Sequence, residues 1–532
     1  MPPPPKKSLG RLGLIVFTLV SLLVGAYYRF PALNERPMHT DEAILAMKFA
    51  DFQQTGHFQY DPKDFHGPGL HYLTQAWSKL AGWGEPLSWT EAQFRTVPAV
   101  CGLLLILTTF LLRDALGRLG TGLAMLIMAV SPMMVYYSRY FIMEVPLVLF
   151  VALSIAALWR WSQGGGFWWL LVAGFSLGMQ HATKETFVLN VAAAAAGFMV
   201  AKLVVGDFAP KQNGFSMGPA SSQRGRSAWV WVGLAAAITS VVLYSGFFKD
   251  WKAVQESATT YLSYLERSGG SGHEKPWHYY LSLIFWRKDT QTWSEAMIGG
   301  LGIIGMLHAF LGNHQKNTSR QAFLVFLSVY TLVLFGLYSF LAYKTPWSIL
   351  AAQHALTLLA GVGAAALFGL FQGRIASLTL KILFGVGLYH LVAQTSLAIH
   401  LYAADQRNPY VYSHTSTNLM RLLPLVRELQ KTAPDGAFEV LVINRDAGWP
   451  LPWYWRDIPS VKYLSAVPET VDERVVVAES TMQAALEAKF GGKAYVMQGP
   501  FGLRPGVMLN VWVEQALWER HSLRKQQEAT RQ

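Results

Sequence analysis

Two adjacent carboxylates come first among the residues with chemical potential. They stand in Met38-His39-Thr40-Asp41-Glu42-Ala43, just ahead of apolar residues at helical spacing, Ile44, Met47 and Phe52. Thr40 is expected to cap that helix, with Asp41 and Glu42 in its first turn, where acids are favoured. The pair is either a stabilised helix start or a catalytic carboxylate held by a short amphipathic helix. Downstream, Asp64-Phe65-His66-Gly67-Pro68-Gly69 places His66 in a tight turn at the mouth of the next helical segment. A second mixed cluster runs His273-Glu274-Lys275-Pro276-Trp277-His278-Tyr279-Tyr280. His66 is either a solvated side chain or a ligand, and the second cluster mixes metal-capable and aromatic groups.

Three cations stand apart: Arg139, Lys184 and Lys344, each in its own short turn between apolar runs. Arg139 has Glu144 nearby and Lys184 is followed by Glu185, so local ion pairing is one reading. Lys344 sits in Tyr343-Lys344-Thr345-Pro346-Trp347 with no neighbouring acid. The sharper reading is that the three converge on one anion, a lipid phosphate, with Glu144, Glu185 and Trp347 in support.

The elements that must position these residues follow from composition. Of 532 residues, 52% are hydrophobic and only 14% charged. A soluble domain carries about 25% charge, and disorder needs low hydrophobicity, so both classes are excluded. Apolar stretches long enough to cross a bilayer recur near 12–28, 96–112, 119–136, 143–161, 167–181, 187–205, 229–248, 294–311, 322–341, 348–371 and 378–400. That predicts about eleven transmembrane helices. Arg113, Arg118, Arg160, Lys202, Lys211, Arg224, Arg226, Lys316, Arg320, Arg374 and Lys381 all fall on one side of these spans, which predicts a cytoplasmic N-terminus. The net charge of +12 is absorbed by this pattern, without nucleic acid as a partner. The first span lacks a cleavage site and reads as an uncleaved anchor. The single Cys101 excludes a disulfide framework.

Residues 1–400 therefore read as a polytopic α-helical membrane domain, with external loops at 29–94 and 249–293. Residues 401–532 change character, with short β-branched runs at 438–443, 474–477, 495–497 and 507–513 and a helical pattern over 481–490. They predict a small extracytoplasmic α/β domain.

Taken together, Thr40-Asp41-Glu42-Ala43, Tyr137-Ser138-Arg139-Tyr140-Phe141 with Glu144, Thr183-Lys184-Glu185-Thr186 and Tyr343-Lys344-Thr345-Pro346-Trp347 resemble the GT-C superfamily of membrane glycosyltransferases. Within it the chain is similar to the protein mannosyltransferase and aminoarabinose transferase group, and most of all to the flippase-activity-associated Agl23-like family. Asn408-Pro409-Tyr410-Val411-Tyr412 and Trp449-Pro450-Leu451-Pro452-Trp453-Tyr454 extend the likeness over nearly the whole chain. The resemblance implies a GT-C-like fold with juxtamembrane helices in the first external loop. It implies that Asp41 matches the essential acidic position. It also implies a metal-binding pair of which His66 stands where the aminoarabinose transferase has an acid, and His273 where it has histidine.

The chemistry that fits is transfer of a sugar from a polyprenyl-phosphate donor to an acceptor at the outer face of the cell membrane. The leaving phosphate needs charge stabilisation, from cations or a metal. No Gly-rich phosphate loop and no Asp-x-Asp tripeptide points to a nucleotide cofactor or nucleotide sugar. Two other readings stay open, a lipid-linked-glycan flippase or transporter and its non-catalytic assembly partner. The clustering of charge at the outer span ends, rather than at the midplane, favours the enzyme.

Overall fold

The computed structural model describes residues 9–62, 66–206, 208, 220–267, 273–288, 292–312, 318–434 and 438–531. Asp64, Lys211 and Lys316 lie outside them. The chain is a polytopic helical membrane protein. Among the described residues eight helices are long and apolar enough to cross a bilayer, from Arg11–Arg29 to Arg374–Leu401. A bent pair, Arg118–Val130 with Pro132–Ser138, makes a ninth if counted as one span. The segments expected near 167–181 and 294–311 form helices Trp168–Thr183 and Ala296–Leu311. At 16 residues each, they fall short of the roughly 20 that a full crossing needs, so the count of eleven full spans is not reached.

Helices in lipid associate through close backbone approach. A Cβ on Gly363 would lie 2.0 Å from the Leu301 carbonyl oxygen, and one on Gly305 would lie 2.1 Å from that of Leu359. Those glycines let Ala296–Leu311 and Leu350–Leu370 pack backbone to backbone. The 60° bend falls at Ser131. Pro132 has no N–H to give the preceding helix, so the ladder stops there and restarts. The Ser131 hydroxyl then accepts from Met134 N–H and donates to Glu295 Oε2 at 2.6 Å. Glu295 is fully buried and also accepts from Met133 N–H, Gln353 and Tyr410, so four donors satisfy one interior carboxylate. The bend brings Tyr136 to Phe141 to the Glu42 end of the helix Thr40–Thr55.

The loop after the first span carries two helices, Thr40–Thr55 and Gly69–Leu80. The later part of the chain forms a five-stranded sheet in the order Val461–Leu464, Val440–Ile443, Val475–Glu479, Val507–Glu514, Tyr495–Arg504. The first three strands are parallel and the last two close as an antiparallel hairpin. Both faces are covered. Val440, Val442, Val475 and Val477 join the main core, while Leu441, Ile443, Val476 and Ala478 pack with Leu486 and Trp512 in a second one. That explains the near-continuous apolar runs of the central strands. The helix expected over 481–490 shrinks to Gln483–Glu487 after a 3₁₀ turn.

Candidate active site

The helix Thr40–Thr55 begins one residue earlier than a threonine cap implies. His39 is extended (φ −68°, ψ 155°) and is itself the N-cap, with Thr40 as the first helical residue. Asp41 N–H donates to His39 Nδ1 at 3.1 Å, and His39 N–H donates to Glu42 Oε2 at 3.0 Å, a reciprocal cap. The other ring nitrogen, Nε2, faces the Tyr412 carbonyl oxygen at 3.1 Å. A backbone N–H at one nitrogen and a carbonyl at the other are satisfied together only by the neutral Nε2–H tautomer.

Glu42 is fully buried. Its Oε1 accepts from Arg95 Nε at 2.8 Å, Phe141 N–H at 2.9 Å and Arg36 Nη2 at 3.2 Å. Arg95 Nη2 reaches Oε2 at 2.7 Å. Burial pushes the carboxyl pKa up, but the charges and hydrogen bonds of Arg95 and Arg36 outweigh it, leaving the group well below the usual carboxylate range. Asp41 differs: its side chain is 39% exposed, with Oδ2 at 3.7 Å from His39 Nδ1.

Around His39 several turns meet. Its ring lies 5.6 Å from that of Tyr140 and 5.9 Å from Trp347, and Trp347 lies 5.7 Å from Tyr412. The Tyr412 hydroxyl is hydrogen bonded to His273 Nδ1. His273 then holds Lys344, whose N–H donates to the His273 carbonyl oxygen at 3.1 Å. The Lys344 ammonium donates to the carbonyl oxygens of Leu341 and, at 3.1 Å, Lys275. So Asp41, Trp347, His273 and Lys344 belong to one neighbourhood, tied together by His39 and Tyr412.

His66, Glu144, Lys184 and Glu185 form another. His66 Nδ1 lies 2.5 Å from Glu185 Oε2, and Lys184 pairs with Glu144. Burial raises the Glu185 pKa, but His66 overrides it and the net value falls to about 2. Arg139 is elsewhere. Its guanidinium caps the end of the first span, donating to the carbonyl oxygens of Tyr28, Arg29, Pro31 and Ala32 at 2.7–3.3 Å. The three cations thus stand on three different sets of partners. Among the described residues no group of three or more His, Cys, Asp or Glu side chains is placed to hold a metal ion. His66 and His273 each give Nδ1 to a different partner, Glu185 and Tyr412.

Several residues of this region were not anticipated: His39, Arg36, Arg95, Glu295, Tyr412 and His414. Glu295 carried a signal, since it is a lone charge where an apolar helix begins, and Arg95 is the last charge before the apolar run of the helix Glu91–Thr108. His39 adjoins Asp41 in the same motif. Nothing local marked His414.

Residues 66–207 match the family model described as dolichyl-phosphate-mannose-protein mannosyltransferase, a stretch well under half of the chain. It carries His66, Arg139, Glu144, Lys184 and Glu185. A search of curated proteins gave no match. Among solved structures, ArnT from Cupriavidus metallidurans bound to undecaprenyl phosphate superposes with a TM-score of 0.60 at 15% identity, covering 94% of this chain and 98% of that one. The archaeal oligosaccharyltransferase AglB from Archaeoglobus fulgidus, in complex with an inhibitory peptide and a dolichol-phosphate, gives a TM-score of 0.53 at 10% identity, covering 93% and 74%. The fold is the GT-C fold of membrane glycosyltransferases.

Proposed function

We propose that this protein moves a sugar from a polyprenyl-phosphate carrier to an acceptor hydroxyl at the outer face of the cell membrane, and that it belongs with the Agl23-like branch of the GT-C enzymes. In this reading the N-terminus is cytoplasmic and residues 401–531 are external. Asp41 takes the proton of the acceptor hydroxyl as its oxygen bonds to the anomeric carbon. The bond from that carbon to the phosphate oxygen breaks, and the carrier leaves as polyprenyl phosphate. Lys344, which shares the neighbourhood of Asp41, stabilises the charge that develops on it, while Lys184 stays paired with Glu144. Arg139 acts on main-chain carbonyls and shapes the loop. Glu42 serves as the anchor of the helix start rather than as a second base. This reading routes no step through a metal.

The observation that carries this reading is the contrast at one helix start on a GT-C fold. Glu42 has its oxygens engaged by buried arginines and backbone, whereas Asp41 beside it is open to solvent. Two solved structures of this fold hold polyprenyl phosphates, undecaprenyl phosphate in one and dolichol-phosphate in the other, which supports the donor class. The test uses purified protein in liposomes with a radiolabelled polyprenyl-phosphate sugar and a membrane-glycan acceptor fraction. Wild type should release polyprenyl phosphate and label the acceptor. Asp41→Asn should lose roughly a hundred-fold or more. Wild-type turnover by Asp41→Asn would reject Asp41 as the base, and donor left intact by the wild type would reject the transfer itself.

A further inference from the structure

A cavity of about 460 Å³ lies between the first external loop, the outer end of the last span and the hairpin of the sheet. Ala32, Glu35 and Arg36 form one wall, Ile399 to Leu401 a second, and Gly502 to Met508 a third. Its size falls in the range of small-molecule sites, about 300–1,000 Å³. We propose that it is a binding site for a neutral, hydroxyl-rich saccharide. On the glycosyl-transfer reading, this is the part of the acceptor remote from the reacting hydroxyl.

Three observations lead there. The span Arg374–Ser396 ends in a π-helical turn, Leu397–Leu401, with Tyr402 N–H donating to the Leu397 carbonyl oxygen at 2.9 Å. Single π turns within helices concentrate at functional sites, and this one carries Ile399, His400 and Leu401 on the cavity wall.

The second observation is charge. Two arginines line the cavity, yet each is already engaged: Arg36 by Glu42, which it shares with Arg95, and by the Arg139 carbonyl oxygen at 2.8 Å, and Arg504 by Asp446. Asp405 is likewise held by Arg407, at 2.6 Å. An anionic ligand would find no uncommitted arginine here. Glu35, His400, Gln406 and Thr417 instead supply mixed donors and acceptors, the pairing that sugar hydroxyls require.

The third is an orphan. His414 is 2% exposed and lines the cavity. Its Nδ1 is committed to the Thr415 carbonyl oxygen at 2.9 Å, and its Nε2 is buried without a hydrogen-bond partner. A buried polar atom left unpaired is costly, and a ligand hydroxyl would satisfy it after a small ring movement. The His414 ring packs 5.6 Å from that of His39, so a single layer of side chains separates the cavity from the cap that holds Asp41. That spacing suits a remote unit of a larger ligand, where binding energy gathered away from the reacting atoms assists the reaction.

The test is saturation-transfer NMR on the full-length protein in lipid nanodiscs. The ligand is the neutral oligosaccharide fraction released from the envelope of the producing cells, with inorganic phosphate as competitor. The wild type should give saccharide signals that excess phosphate does not displace. Met508→Trp, which fills the cavity beside Gly502, and Gln406→Ala, which removes an exposed amide at its rim, should each weaken binding roughly ten-fold. Thermal melting checks that both variants remain folded, and Gln406→Ala decides the matter if the tryptophan distorts the hairpin. No saccharide signal, unchanged affinity in folded variants, or displacement by phosphate overturns the proposal. The readout needs no turnover, so a failure to transfer sugar would reject the proposed function and leave this site standing.

Discussion

Asp41 and Glu42 are consecutive residues with opposite surroundings: Glu42 is fully buried between Arg36 and Arg95, while the Asp41 side chain is 39% exposed. A helix turns about 100° per residue, so one carboxylate faces the protein and the other faces solvent. The inner one ties residue 36, residue 95 and the backbone of residue 141 to the helix start. The exposed one is the base of the proposed transfer.

Glu42→Gln should therefore act on stability before chemistry. It leaves Arg95, which is 1% exposed, and Arg36 without their anion. Breaking one partner of a buried ion pair costs about 3–5 kcal/mol. The expected result is a lowered melting temperature in detergent and a loss of folded yield. A melting temperature equal to wild type would show that the arginines find other partners.

The His66–Glu185 pair predicts a pH dependence. Glu185 is held at about 2, below its ordinary 4.5. A carboxylate with a depressed folded-state pKa contributes stability that is complete above the unfolded value and is lost as pH falls through the folded one. This contribution should be flat from neutrality down to about pH 5, then decline toward pH 2. Glu42 shifts in the same direction and adds to the acid slope. Melting curves recorded against pH should show a shallower acid slope in Glu185→Gln than in the wild type.

The legible part of this molecule was the part written locally. Apolar length marked the spans, and an acid pair ahead of a helical pattern marked Asp41. The strand Val461–Leu464 escaped notice because it is a short edge strand with half of its residues exposed, so its four residues carry no apolar run. Two helices that read as spans stop at 16 residues, and composition alone does not mark where a helix ends. The link between Tyr412 and the candidate base was unreadable for a different reason: Tyr412 meets His39 across 373 residues of chain and His273 across 139. Contacts of that range leave no periodicity behind. The motif from Asn408 to Tyr412 was visible as a motif, and only the fold shows it as a strap. Tyr410 anchors it on Glu295 at 2.8 Å, and the Asn408 side chain ties it to Ala398 and Tyr402.

Orientation is open to direct measurement. The one native cysteine, Cys101, is buried, so an engineered cysteine reports cleanly. Lys489 and Arg374 are both exposed, the first in the sheet region and the second at the start of the last span. A membrane-impermeant maleimide should label Lys489→Cys in right-side-out vesicles and reach Arg374→Cys only after permeabilisation. The reverse pattern would invert the proposed topology and remove the basis for an outer-face reaction.

The last prediction concerns how Asp41 is held. His39 accepts the Asp41 N–H, and its own position depends on the Tyr412 carbonyl. Loss of an N-cap side chain costs about 0.5–2 kcal/mol, and asparagine caps as well as any residue. His39→Ala should therefore let the helix start fray and, on the proposed reaction, lower kcat several-fold with little change in donor KM, because the proposed base is misplaced rather than the donor site lost. His39→Asn should recover most of that rate, since its side-chain oxygen can accept the same N–H. Tyr412→Phe keeps the carbonyl on His39 but removes the hydroxyl on His273. It should leave the cap intact, so any effect it has belongs to the His273–Lys344 side of the site. If His39→Asn is as impaired as His39→Ala, the imidazole does more than hold the helix, and its own proton exchange with Asp41, 3.7 Å away, becomes the function to examine.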